Sequence, residues 1–437
     1  MPSKSPVRRT AATVLAAACA LGALSACSSS GSGGSGGSAG GTTTISFMQI
    51  MNSGSQKSTL VALTDAFEKA NPNIKVDLQY QPDYGTLHAK ETAGVAAHNP
   101  PTIGQVYESW AAEYAKSQVI LPASQFAGSD SPAGLSDFYQ GVQKDLRLPD
   151  GKLWMWPFNK SVQVIFYNQD MLKAKGQNVP ATWDDFSAAA KAVSGGGVTA
   201  ISVDPGTTAN VNGGTILFEA LCAANGTPDF AANGTPQLNS PAAIKALGYL
   251  ADLKKAGALA VGTNFPGETA LGAQKGVFDM SSAAGYYFEN QAVGGKFTLG
   301  TEVLPTGADG TKSNVLSGTN IAVFASASKA QQAAAWKYMQ FLASADSQAQ
   351  WSSTTGYLPV TPKALDQMGD FLAKNPYMKT AAGALDYAVA QPAFPWVAKA
   401  QGEEVVALQK VLEQGADPAS ALNAAQQAAL ADQKAGQ

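Results

Sequence analysis

From Thr43 to about Lys116 the chain changes its hydrophobic period again and again, and this alternation limits the fold more than any other feature. "TTISFM" at 43–48 reads as a strand. "KSTLVALTDAFEKA" at 57–70 sets Leu60, Leu63 and Phe67 at helical spacing, and Asn71-Pro72-Asn73 stops it. "IKVDLQY" at 74–80 alternates apolar and polar residues as a half-buried strand does. A helix over 84–97, a strand near "TIGQVY" and a helix over 109–116 follow. Strand and helix in turn predict that the start is α/β with a largely parallel sheet.

The pattern continues down the chain. "ATWDDFSAAAKAV" opens a helix with Thr182 as N-cap and Asp185 three residues on. A strand "VTAISV", helices "GTILFEALCAANG" and "PAAIKALGYLADLKKAG", and a strand "GVFDMS" running into a turn "SSAAGYY" come next. Strands are expected at 299–305 and 315–324. One amphipathic helix is expected over 328–351, with Trp336, Met339 and Leu342 on its apolar face. A helical end over 403–431 breaks between Gly415 and Pro418. Upstream, "WMWPFNKSVQVIFYNQDM" reads as aromatic residues, a polar corner at Asn159-Lys160-Ser161, and a β-branched strand from Val162 to Phe166. A body of roughly 43–430 is too long for one ordinary core, so two domains are expected.

The start of the chain has another purpose. Lys4, Arg8 and Arg9 precede the apolar run "AATVLAAACALGAL", which is too short to stay in a bilayer as a span. Leu24-Ser25-Ala26-Cys27 resembles a bacterial lipobox. It implies a signal peptide over 1–26, cleavage before Cys27 and a lipid on its sulfur. The Gly/Ser run over 28–41 then reads as a flexible tether, because it has no side chains to bury. Its formal G-x-G-x-x-G lacks a preceding strand and a following helix, so it carries no dinucleotide reading. Removal of the leader takes away three basic residues from a chain whose net charge is already −3. That balance argues against nucleic acid as a partner. Cys222 lies in an apolar helical pattern and reads as a small buried hydrophobe.

Catalytic patterns are scarce. His88 and His98 are the two histidines, ten apart, which gives neither a His-x-x-x-His metal pair nor a triad base. There is no G-x-S-x-G and no P-loop. No catalytic residue, metal ligand or cofactor is assigned, and both histidines are placed on the surface. Trp154, Trp156 and Trp396 are assigned to core packing.

"WPFNKSVQVIFYNQDML", followed by "VPATWDDF", resembles a motif of the extracellular solute-binding proteins of ATP-driven importers. "AFEKANPNIKVDLQY", "GVFDMSSAAG" and "TGYLPVTPKAL" add matches in the same order. The resemblance covers roughly 43–430 and is nearest to the glycerol-3-phosphate and glycerophosphodiester binders and their sugar-binding relatives. It implies two α/β lobes with a ligand cleft between them and crossover strands near 162–168, 315–323 and 355–360. Lobe I would take 43–161 plus 321–356, and lobe II 162–320 plus 357–430, after a tether at 27–42. It implies ligand contacts at Tyr84, Glu108, Ser161, Trp183, Tyr286, Gly318 and Tyr357. Each has a plainer role open to it: a helix-start carboxylate for Glu108, a turn former for Ser161, a packing anchor for Trp183, a hinge spacer for Tyr357. The family's phosphate binders use a late arginine, and an ungapped count back from Pro418 puts Gln401 there. No arginine follows Arg147, which favours a neutral sugar or a zwitterionic glycerophosphodiester over glycerol-3-phosphate.

The expectation is therefore a non-enzymatic, monomeric, lipid-anchored receptor on the extracellular face of the membrane. Its partners would be a small carbohydrate-like or glycerophospho solute, two permease subunits and an ATPase. Two other readings are a receptor or adhesin on the same fold, and a secreted carbohydrate-active enzyme with carboxylates far apart in the chain. A turnover assay set against a binding titration separates them.

Overall fold

Thr43–Gln49 (β1) and Ile74–Tyr80 (β2) pair in parallel, and β1 also pairs in parallel with Ile103–Val106 (β3). This computed structural model describes residues 41–437 apart from Ala209 and Asn212, and no side chain of Asn210 or Val211. The leader, Cys27 and most of the tether lie outside the described residues. The short strand Ile120–Leu121 (β4) comes next, then the 13-residue strand Trp156–Asn168 (β5). Ile201–Val203 (β6), the small pair Gly206–Thr207 (β7) and Asn210–Val211 (β8), and Leu259–Val261 (β9) follow. Phe278–Ser282 (β10), Leu299–Val303 (β11) and Leu316–Phe324 (β12) complete the set.

The strand order β2-β1-β3-β12-β5-β10-β6-β9 puts β5 and β12 in the middle. On one flank β1 to β3 are parallel, and on the other β6 is parallel to both β9 and β10. The central pairings of β5 and β12 are antiparallel. The start of the chain is thus parallel as expected, while the sheet as a whole is mixed. The local period predicts strands, but it carries no record of which distant strands become neighbours.

β5 changes partners along its length. Trp156 to Val162 pair with β12, whereas Gln163 to Asn168 pair with β10 and β11. Every residue of this strand is buried. Asn159, Lys160 and Ser161 therefore lie inside the strand, not at a corner before it. Their polarity is met by partners from distant parts of the chain. Leu358 N–H donates to the Lys160 carbonyl at 2.8 Å, which brings a third chain segment against the same strand.

Two cores flank this centre. The first includes Phe47, Phe67, Phe158, Tyr338 and Trp351, and extends to residues 377–388. The second includes Phe186, Phe218, Phe278, Trp396 and Leu408. Successive side chains of a strand point to opposite faces. Accordingly Val162, Val164 and Phe166 of β5 enter the first core, while Ile165 and Tyr167 enter the second.

Local signals hold where short-range chemistry decides. Thr182 accepts from Asp185 N–H, and Asp185 accepts from Thr182 N–H, a complete capping box at the helix Trp183–Val193. The helical end is two helices, Val397–Gln414 and Pro418–Gly436, with Gly415 left-handed between them. The expected single helix over 328–351 is two, Lys329–Leu342 and Ala345–Thr355. The Ser344 side chain accepts from Ser347 N–H and starts the second. The stretch after β10 is a turn only at Ala283–Gly285; Tyr286–Val293 is a helix. Cys222, Trp156 and Trp396 are buried, whereas Trp154 is partly exposed and donates from Nε1 to Asp150. No helix among the described residues is long and apolar enough to cross a membrane.

Candidate functional site

Three chain segments converge on the β5–β12 crossing. Tyr84 opens the helix Tyr84–Ala96, which Asp83 caps through its side chain. Glu108 opens the helix Glu108–Lys116 directly after β3. Tyr357 follows the left-handed Gly356 that ends the helix Ala345–Thr355.

Tyr84 and Tyr107 pack with ring centres 4.9 Å apart, and Tyr107 meets Trp110 edge-on. Asn159 Nδ2 donates to the Tyr84 hydroxyl at 3.4 Å. Its Oδ1 accepts from Gln105 Nε2 at 3.1 Å and from Thr319 Oγ1 at 2.6 Å. The Tyr357 ring stacks on Trp351 at 5.8 Å. Burial holds the hydroxyls of Tyr84, Tyr107 and Tyr357 well above the usual phenol range, so all three stay protonated. A set of neutral phenols both donates and accepts hydrogen bonds, and its rings offer apolar faces.

Beside this group lies a buried charge cluster. Lys160 Nζ is 2.5 Å from Asp145 Oδ2 and 3.3 Å from Glu108 Oε1. Asn320 Nδ2 from β12 donates to the same two oxygens at 2.8 and 3.1 Å. Burial works against the Lys160 charge, but Asp145 and Glu108 outweigh it and hold the ammonium above its ordinary value. Burial and the charge of Asp145 push Glu108 well above the usual carboxylate range, and Lys160 offsets this only in part. Lys160 is thus committed to internal acids, on the opposite strand face from Ser161.

A cavity of about 330 Å³ opens next to this cluster. Glu108, Asp145, Lys144 and Arg147 line one side, and the segment Asp386–Ala393 lines the other. The Asp145 carboxylate is sealed from solvent and faces both Lys160 and the Glu108 carboxyl. The Arg147 guanidinium already donates to the carbonyls of Gly151 and Asp130. The cavity therefore mixes acid and base at its walls.

Of the other expected residues, Ser161 and Gly318 lie on β5 and β12 at the same crossing, opposite Ser317 and Lys160. Ser161 is buried and accepts from Ser282 Oγ at 2.7 Å and from Ala284 N–H at 3.3 Å, tying β5 to the turn after β10. Tyr286 stacks on Tyr377 at 4.2 Å. Gly318 has φ +93°, and the atom a Cβ would strike there is the Asn159 carbonyl of β5, so the close approach it permits is between crossover strands. Trp183 packs in the second core against Phe186 and Tyr249 and accepts at its carbonyl from Tyr249 at 2.7 Å. His88 lies flat on Trp110 at 4.3 Å.

Sequence reasoning missed Tyr107 and Asp145, and marked Asn159 only as part of a polar corner. Tyr107 sits directly before Glu108 and its aromatic ring is a readable signal. Asp145 gives none, because its partners are remote in the chain. Gln401 donates from Nε2 to Glu219 Oε1 at 2.8 Å.

Comparison with known proteins agrees with this architecture. The profile of the family described as "Bacterial extracellular solute-binding protein" matches residues 62–380. The sn-glycerol-3-phosphate-binding periplasmic protein UgpB of Escherichia coli K12 is 28% identical over 368 residues, covering 78% of this chain and 80% of that protein. UgpB from Mycobacterium tuberculosis, solved in complex with glycerophosphocholine, superposes with a TM-score of 0.80 at 20% identity, over 90% of this chain and 99% of that one. The GacH receptor of Streptomyces glaucescens, solved unliganded and with acarbose, gives a TM-score of 0.76 at 20% identity, over 89% and 97%. The fold is the two-lobe one of these binding proteins.

Proposed function

The chain belongs to the bacterial extracellular solute-binding proteins, which serve ABC importers, and from that premise we propose that it captures a neutral or zwitterionic, hydroxyl-rich solute. A sugar or a glycerophosphodiester fits this reading better than glycerol-3-phosphate. The observation that carries it is the mixed-charge cavity next to the Glu108 cluster, with three neutral tyrosine hydroxyls packed around the same crossing. A dianionic phosphate needs a fixed positive fork. Here Lys160 and Arg147 are already engaged, and Gln401 stands at the arginine position reached by the ungapped count.

In this reading Tyr84, Glu108 and Tyr357 meet the solute from lobe I and the third crossing. Ser161, Tyr286 and Gly318 shape the hinge, and Trp183 supports the facing lobe. The lobe division at 161/162, 320/321 and 356/357 belongs to the same proposal. Closure around the solute follows from its higher affinity for the closed form, which then docks on two permease subunits driven by an ATPase. Anchoring of a monomer through lipidated Cys27 on the outer membrane face completes the picture. It predicts that Cys27→Ser releases the protein from membranes.

Calorimetric titration with maltodextrins, glycerophosphocholine and glycerol-3-phosphate tests the solute class. Saturable binding of a sugar or of glycerophosphocholine, tighter than that of glycerol-3-phosphate, is expected. A preference for glycerol-3-phosphate overturns the charge argument, and no binding by any of the three classes overturns the whole reading.

A further inference from the structure

We propose that Glu219, Asp229 and Glu404 form a buried site for a hard divalent cation of the calcium class, which borders the solute cavity through Gln391. Glu219 lies on the helix Gly213–Ala224 and Glu404 on the helix Val397–Gln414. Each of the three offers a carboxylate oxygen within 4.8 Å of the others. Oxygen ligands lie about 2.3–2.6 Å from calcium, so oxygens on opposite sides of one ion stand about twice that apart. The cluster is therefore the right size for one ion.

A second observation separates this cluster from an ordinary acidic patch. Glu404 is 0% exposed, its carboxylate faces that of Asp229, and no N–H or hydroxyl reaches either of its oxygens. Asp229 Oδ2 also lacks a donor. The contrast with Glu108 and Asp145 is direct, since those acids have Lys160 between them. Around Glu219 the side-chain donors are the neutral amides of Gln401 and Gln391. Buried carboxylates without counter-charge are costly, and either protons or a cation must relieve them.

Protons relieve them incompletely. Burial, with the charges of the neighbouring acids, does push Glu219 and Glu404 well above the usual range. Yet a proton shared between Glu404 and Asp229 satisfies one oxygen of each and leaves the other Glu404 oxygen without a partner. A cation engages both oxygens of one carboxylate and draws ligands from all three. The donor chemistry also selects the ion. Carboxylate and amide oxygens suit calcium, magnesium or manganese.

The test uses the purified chain, stripped with EDTA at pH 7.5 and titrated with calcium chloride by calorimetry. Thermal unfolding with and without calcium is measured in parallel, with magnesium and zinc chloride as comparators. About one calcium per chain and an upward shift of the unfolding temperature are expected. The shift should vanish in Glu404→Gln while its circular dichroism stays that of the wild type. No calcium heat and no shift in the wild type overturns the proposal, as does a full shift retained in Glu404→Gln. Should that variant fail to fold, Glu219→Gln and the wild-type stoichiometry decide in its place. Solute titration of the stripped protein is scored separately, so loss of the cation site and loss of the solute reading give different results.

Discussion

Lys160 Nζ and Asp145 Oδ2 form an ion pair with both side chains sealed from solvent, where strand β5 crosses between the two cores. The cost of desolvating such a pair is recovered only while both partners remain. Lys160→Met leaves Asp145 and Glu108 facing each other without a cation. It should destabilise the protein by about 3–5 kcal/mol. Urea denaturation measures this, and the double variant Lys160→Met with Asp145→Leu should recover part of the loss. A loss below about 1 kcal/mol in the single variant would show that the pair contributes little.

Gly318 and Gly310 make a controlled comparison. Both have positive φ, +93° and +83°, but a Cβ at Gly310 meets nothing within 4 Å. Gly310→Ala should cost about 1 kcal/mol from backbone strain alone. Gly318→Ala adds a collision with the Asn159 carbonyl and should cost at least about twice as much. Equal losses in chemical denaturation would mean that the crossover strands simply move apart.

Asp279 on β10 and Glu289 on the helix Tyr286–Val293 form a buried acidic pair, with Glu268 nearby. Burial pushes Asp279 up to about 6, and burial with the charge of Asp279 pushes Glu289 up to about 10. The folded state therefore holds protons that the unfolded chain releases near pH 4. Their stabilising contribution is complete below that pH. It is lost as pH rises through the folded values, at roughly 1.4 kcal/mol per pH unit for each proton held only by the native state. Glu289→Gln should remove the alkaline part of this loss. Urea denaturation at pH 5, 7 and 9 checks it, and an identical pH slope in wild type and variant rules the pair out as the cause.

Tyr84→Phe and Tyr357→Phe remove a hydroxyl while keeping a ring. Each should weaken binding of the solute found by titration, by roughly two- to tenfold for one lost hydrogen bond. Trp183→Phe should move stability more than affinity, because the contacts of Trp183 are with Phe186 and Tyr249. An affinity loss at Trp183 exceeding that at both tyrosines would place the ring against the solute instead.

Legibility in the sequence follows the range of the interaction. The alternation in Ile74–Tyr80, the capping box of Thr182 and Asp185, and the break at Gly415 depend on near neighbours, and the structure has them where the pattern put them. The start of β5 was misread because Asn159, Lys160 and Ser161 are polar. They are buried only because Thr319, Asp145 and Ser282 arrive from elsewhere. The break at Ser344 was hidden inside a run of sound helix formers. Tyr84, Glu108 and Tyr357 came from family resemblance, since nothing local marks them. Glu219, Asp229 and Glu404 meet only after folding, and no spacing rule joins them.

The division of β5 between two interiors makes its register doubly determined. A one-residue slip exchanges the faces of a strand. Here it would send Ile165 and Tyr167 into the space built for Val164 and Phe166, and the reverse, so neither interior would remain intact. An ordinary half-exposed strand that slips loses one hydrophobic face to water, whereas this one would misfit on both sides together. Errors of pairing in the middle of the molecule are thereby penalised twice, and the two cores are held to a common alignment.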